Sequence, residues 1–148
     1  MPIVYGDAYL GGTFVDAAIT TDQKVMYYVF AISCISPTGT FTFDQTKMYY
    51  GDRLITFGTG PNVASLTDQA GNVDTTIANN LQIYLYTSSA SGVITNVNTV
   101  SAPSAVMGSG SGLPSANQWT GTRQMNGLAF AIVRLNYSRE AQTTSMQP

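Results

Sequence analysis

The chain has 148 residues, enough for one domain with a sizeable core and too few to expect two. Hydrophobic residues make up 44% and charged residues only 9%, far below the roughly 25% of ordinary soluble domains, so uncharged polar residues must supply most of the surface. A net charge of −2 with no basic stripe argues against nucleic-acid binding, and the absence of histidine removes the commonest general base, metal ligand and nucleophile partner.

Periodicity along the chain is that of strands. Residues 2–5 form a β-branched opening closed by Gly6-Asp7. Residues 8–19 contain a Gly11-Gly12 break, which predicts two strand pieces joined by a kink or bulge. Residues 25–35 (VMYYVFAISCI) are apolar at ten of eleven positions, which fits a central strand covered on both faces. Its β-branched residues, its aromatics and the following Pro37 argue against a buried helix. Cys34, the only cysteine, has no intrachain partner and is expected to be a small buried hydrophobe. This longest apolar run falls short of the ~20 residues that cross a bilayer, so no membrane span is expected. The opening residues lack the basic region of an export signal.

Residues 40–43 (TFTF) alternate, with Phe41 and Phe43 on one face. Residues 47–50 and 53–57 flank Gly51-Asp52, a hairpin signal. Residues 58–80 read as a long polar loop with a short helix near 74–80. Residues 81–86 (LQIYLY) read as a strand, and residues 93–100 alternate weakly. Residues 101–122, rich in Ser, Gly, Ala and Pro, are expected to form an irregular surface loop. Residues 128–135 (LAFAIVRL) form a second almost wholly apolar strand. The whole predicts an all-β module over residues 1–140, a single-domain sandwich or partly open barrel with two long loops. An extended polar tail follows at 141–148.

Candidate chemistry is sparse. Asp68, Asn72 and Asp74 superficially suggest a calcium loop, but the further oxygen ligands and closing glutamate of an EF-hand are missing, and the run reads as turn composition. Residues 108–112 (GSGSG) fit neither a nucleophile elbow nor a phosphate-binding loop and look like linker sequence. Asn136-Tyr137-Ser138 matches a glycosylation sequon, relevant only in a secretory setting. Eight dispersed carboxylates favour no catalytic pair. No catalytic residue, metal ligand or cofactor is assigned. Trp119, inside the long loop, is the one aromatic singled out as a contact candidate, with packing back onto the sheet as its alternative.

Several motifs resemble a module of the central tail-tip proteins of long-tailed bacteriophages, also described as host-specificity, tip-attachment or baseplate hub proteins. Pro2-Ile3-Val4-Tyr5-Gly6 followed by Gly11-Gly12 resembles the opening "P-V-V-Y-G … G-G". Residues 24–34 resemble "K-Y-L-x-x-V-x-A-L-C", with Cys34 at the cysteine, and residues 48–54 resemble the hairpin "I-Y-x-x-D-x-L". Residues 127–137 are similar to "G-I-A-Y-L-x-V-R-L-x-Y", with Gly127 and Arg134 at the matching positions. The chain departs from the pattern at Ile35-Ser36-Pro37, where Glu and Gly are usual, and it replaces most of the module's charged residues with Ser and Thr.

The resemblance implies an assembly role. In that family the hub forms a trimer at the tail end and carries the receptor-binding parts. The implied partners are copies of the chain and other tail proteins, with a host receptor involved indirectly, and the implied location is the virion tail. The reading is a non-enzymatic structural domain in which Tyr5, Gly6, Gly11, Gly12, Cys34, Gly127 and Arg134 are structural motif residues. The alternative is a carbohydrate- or receptor-binding β-module that uses the 101–122 loop and Trp119. A carboxylate-dependent hydrolase stands third.

Overall fold

A computed structural model of the chain describes residues 10–136. Among them nine strands form two antiparallel sheets, and the fold is an open all-β sandwich, not a closed barrel. The larger sheet contains β1 (Thr13–Ile19), β2 (Val25–Cys34), β7 (Leu81–Ser88), β8 (Ile94–Asn96) and β9 (Leu128–Asn136), in the order β1-β2-β9-β7-β8. The smaller contains β3 (Tyr49–Tyr50), β4 (Arg53–Phe57), β5 (Val63–Thr67) and β6 (Val73–Asp74), in chain order. The opening strand reading at residues 2–5, the motif residues Tyr5 and Gly6, and the 141–148 tail lie outside the described residues.

The near-continuous apolarity of β2 and β9 has a direct cause: both faces of the larger sheet are covered. On one face Leu81, Ile83, Leu85, Ala131, Val133 and Leu135 pack with Ile55, Val63 and Leu66 of the smaller sheet. On the other, Tyr27, Val29, Tyr86, Phe130 and Ile132 pack with Val106, Met107, Leu113 and Trp119 of the long β8–β9 connection. Tyr86 and Phe130 stack with ring centroids 5.1 Å apart. Alternate residues of one strand therefore serve two separate cores, the pattern of an interior strand.

That connection is more structured than an irregular surface loop. It carries a one-turn helix α1 (Pro103–Val106) and a 3-10 turn (Ser115–Asn117). The Trp119 N–H donates to the Met107 carbonyl at 2.9 Å, and the Tyr86 hydroxyl donates to the Ser101 carbonyl at 2.8 Å. Gly108 is required where these strands of the loop meet, because a methyl group there would overlap the Ser104 carbonyl oxygen. The Gly- and Ser-rich segment that reads as linker is thus a close backbone crossing.

The smaller sheet corrects the reading of residues 58–80 as a loop. β5 and β6 lie within it, joined by a turn in which the Asp68 carboxylate accepts from the Ala70 and Asn72 amides at 2.9 and 2.8 Å. Residues 76–80 form turns, not a helix. The hairpin at Gly51-Asp52 is present as β3–β4. The TFTF segment is not a strand, although Phe41 and Phe43 do meet edge to face at 5.0 Å.

Cys34 is exposed, contrary to the expected burial. The in–out alternation of β2 runs unbroken to its end, with Tyr27, Val29, Ala31 and Ser33 buried, so Cys34 falls on the opposite, less covered face.

Candidate functional site

Two surface features stand out, a cleft between the sheets and the outer edge of β1. The cleft has a volume of about 1000 Å³. Its floor is the larger sheet at Phe30, Ile32, Ile83, Ala131 and Val133. Its far wall is the 40–44 segment and the β3–β4 hairpin, with Phe41, Phe43, Met48 and Ile55. Gly11 and Gly12 border it beside β1. Gly12 is small for a packing reason, because a Cβ there would lie 2.9 Å from the Phe30 Cβ and 3.0 Å from the Ile32 Cδ1.

The charged pair at this cleft is Asp44 and Lys47, 3.3 Å apart. Asp44 caps the 3-10 turn Gln45–Lys47 by accepting from the Thr46 amide at 3.0 Å. The Thr46 hydroxyl and amide hold its carboxyl below the usual range, so it is a fixed anion and not a proton donor near neutral pH. Acid–base hydrolysis of a glycoside needs two carboxyl groups about 5–9.5 Å apart across the scissile bond. Asp44 is the only acidic side chain among the described residues of the lining. The cleft can hold an apolar body, but the described residues give it no acid–base pair.

The edge of β1 is different in kind. Sheet order places β1 at the rim of the larger sheet, and no strand among the described residues pairs with its outer side. Phe14, Val15 and Ile19 are exposed by 57%, 41% and 39%. The other rims are short: β8 has three residues, and β3 and β6 have two each. Short edges resist pairing with other chains, and β1, with seven residues and one charge, does not carry that protection.

Its single charge is turned inward. The Trp119 indole donates to an Asp16 carboxylate oxygen at 3.2 Å, and Arg123 pairs with the same oxygen at 3.1 Å. The Arg123 guanidinium also sits 4.4 Å from the centroid of the Trp119 ring, a cation–π contact. Trp119 is therefore an anchor that ties the long connection to β1. At 2% exposure its ring packs the connection back onto the sheet, as the alternative reading of the sequence has it, and is not available to a surface ligand.

The remaining motif residues are scattered. Gly127 ends the connection before β9, its carbonyl accepting from the Ile35 amide at 2.7 Å. Arg134 lies on β9, where its Nε donates to the Tyr27 hydroxyl at 3.3 Å and an Nη to the Gln82 side-chain carbonyl at 3.4 Å. Tyr84 donates to the same Gln82 oxygen at 2.9 Å, and burial pushes its phenol upward. Of these, Gly11 and Gly12 border the cleft at the foot of β1. Gly11, Gly12, Cys34, Gly127 and Arg134 do not converge on one site.

A scan against protein-family models and searches of the curated proteins and of the solved structures find no match to this chain. No helix among the described residues is long and apolar enough to cross a membrane.

Proposed function

We propose that the chain is a structural domain that makes protein–protein contacts within a larger assembly, and that the assembly is a phage tail tip. The observation that carries the first part is β1, a seven-residue sheet edge with three large apolar side chains exposed and its one charge neutralised from within. A surface with few charges supports it, because a free monomer ordinarily relies on charge to stay dispersed. The second part rests on the ordered motifs from Gly11-Gly12 to Arg134 and their resemblance to tail-tip modules. No catalytic role is assigned.

Antibodies raised against the chain provide the test, applied by electron microscopy to particles made from the genome that encodes it. Labelling confined to the distal tail is expected. Particles that carry no label at any position, despite denatured controls that do, would remove the assembly role. Label elsewhere on the particle would keep the structural role and remove the tail tip.

The inter-sheet cleft favours a second reading, a binding module for an apolar ligand. Calorimetric titration of alkyl and aromatic glycosides into the isolated chain tests it. Binding abolished by Ile83→Glu, with the fold retained by circular dichroism, would support it over the structural reading.

A further inference from the structure

Arg134 stands apart from the other arginines of the described residues. Arg53 pairs with Asp74 at 3.4 Å and Arg123 with Asp16 at 3.1 Å, but Arg134 has no acidic partner among the described residues. It lies on the face of β9 that carries Phe130 and Ile132, with Tyr27 of β2 and Gln82 of β7 directly beside it in the ladder. The long connection touches this row through the Ser111 carbonyl, 3.5 Å from the Tyr27 hydroxyl.

The guanidinium is aimed without being satisfied. Its Nε donates to the Tyr27 hydroxyl at 3.3 Å and an Nη to the Gln82 Oε1 at 3.4 Å. Both are longer than the roughly 2.7–2.9 Å of hydrogen bonds between ions, and both acceptors are uncharged groups, a phenol and an amide. Gln82 is itself fixed, because its Oε1 also accepts from the Tyr84 hydroxyl at 2.9 Å and its Nε2 donates to the Asn62 Oδ1 at 2.8 Å. Arg134 is thus a part-buried cation held in one orientation, and no described residue uses the rest of its N–H fork. What it lacks is a counter-ion.

We infer that Arg134 anchors a carboxylate-binding site whose occupant is an Asp or Glu side chain of a protein partner. One unmatched positive charge balances one negative charge, which fits a carboxylate and leaves a phosphate dianion half-neutralised. The planar guanidinium fork also matches a carboxylate with two parallel hydrogen bonds. The row lies outside the inter-sheet cleft, whose lining contains none of Tyr27, Gln82, Tyr84 and Arg134. On a sheet face a free acid gains this one anchor and little enclosed contact, whereas a side chain on a partner arrives with the rest of its interface. The inference rests on the structural reading for its partner, but acetate probes the site without one, so the two fail separately.

Nuclear magnetic resonance of the nitrogen-labelled full chain tests it, following the Arg134 Nε–Hε signal as acetate replaces chloride at a constant ionic strength of about 0.3 M. Arg134→Lys identifies the signal by its loss. In the wild type it should move saturably with a Kd of about 10–100 mM, the affinity of one charge-assisted contact. The signals of Arg53 and Arg123, whose groups already have carboxylate partners, should stay in place. Gln82→Ala removes the acceptor that aims the fork and should weaken acetate binding at least about threefold, with circular dichroism unchanged. Glucuronate should bind less than about tenfold more tightly than acetate. Absence of a saturable shift, equal shifts at all of these arginines, or a Q82A titration that matches the wild type would overturn the site. Glucuronate tighter than that limit would overturn the protein partner in favour of an acidic sugar.

Discussion

Trp119→Ala removes the residue that fastens the long connection over the larger sheet. The ring is 2% exposed and packs in the core with Val106, Met107, Leu113 and Phe130. Truncating a buried aromatic to alanine costs about 3–5 kcal/mol. The indole bond to Asp16 is lost as well, but Arg123 still pairs with that carboxylate, so its loss adds no more than about 1 kcal/mol. A total of about 3–6 kcal/mol is a large part of the roughly 5–15 kcal/mol that holds a domain folded. At about 2–4 °C per kcal/mol it lowers Tm by roughly 6–24 °C. Urea unfolding followed by far-ultraviolet circular dichroism measures the loss. Trp119→Phe keeps most of the area and should cost about 1–2 kcal/mol. Because Trp119 is the only tryptophan, wild-type emission should shift to the red on unfolding. A loss below about 1 kcal/mol for W119A, or native emission at the wavelength of free indole in water, would refute the anchor.

Further outcomes follow from other parts of the fold. Gly12→Ala should destabilise by about 1–3 kcal/mol, because the added methyl meets the Phe30 Cβ at 2.9 Å, and thermal melts check it. Asn98→Ala should cost about 2 kcal/mol in urea unfolding, since its side chain accepts from the Leu85 amide and donates to the Ile83 carbonyl where β8 no longer covers β7. Burial pushes the Tyr86 phenol far above its ordinary value, so the folded state holds it neutral while the unfolded chain ionises near pH 10. Its contribution is complete below pH 10 and drains as pH rises beyond it, and Tyr86→Phe should flatten that alkaline decline in a series of melts. Cys34, being exposed, should react with an aromatic disulfide reagent in the native protein without denaturant.

How much of this was legible depends on what each element contacts. β2 and β9 announced themselves because two-sided coverage fills every position with apolar residues, a signal that survives without knowledge of the partner. β5 did not, because Val63–Thr67 mixes small and polar residues and is flanked by Gly and Pro, so its pairing with β4 is tertiary information. Cys34 was misread because an apolar run does not report where the cover over one face stops: Tyr28, Phe30 and Ile32 on that face are half-buried, and Cys34 at the strand's end is exposed. The anchoring of Trp119 joins residues 103 apart in sequence, which no periodicity reports. The open edge of β1 was likewise hidden: the seven residues look like any half-buried strand, and only the sheet order shows which side is unpaired.

The structural role is tested most directly by amide hydrogen exchange of the chain alone at low concentration against the chain within purified particles. The Thr20 amide donates to the Val25 carbonyl and the ladder alternates, so the amides of Ala17 and Ile19 point away from β2. The account predicts that these outward amides exchange rapidly in isolation and become protected on assembly, while β2 and β9 are protected in both states. Identical exchange along β1 in both states would contradict it.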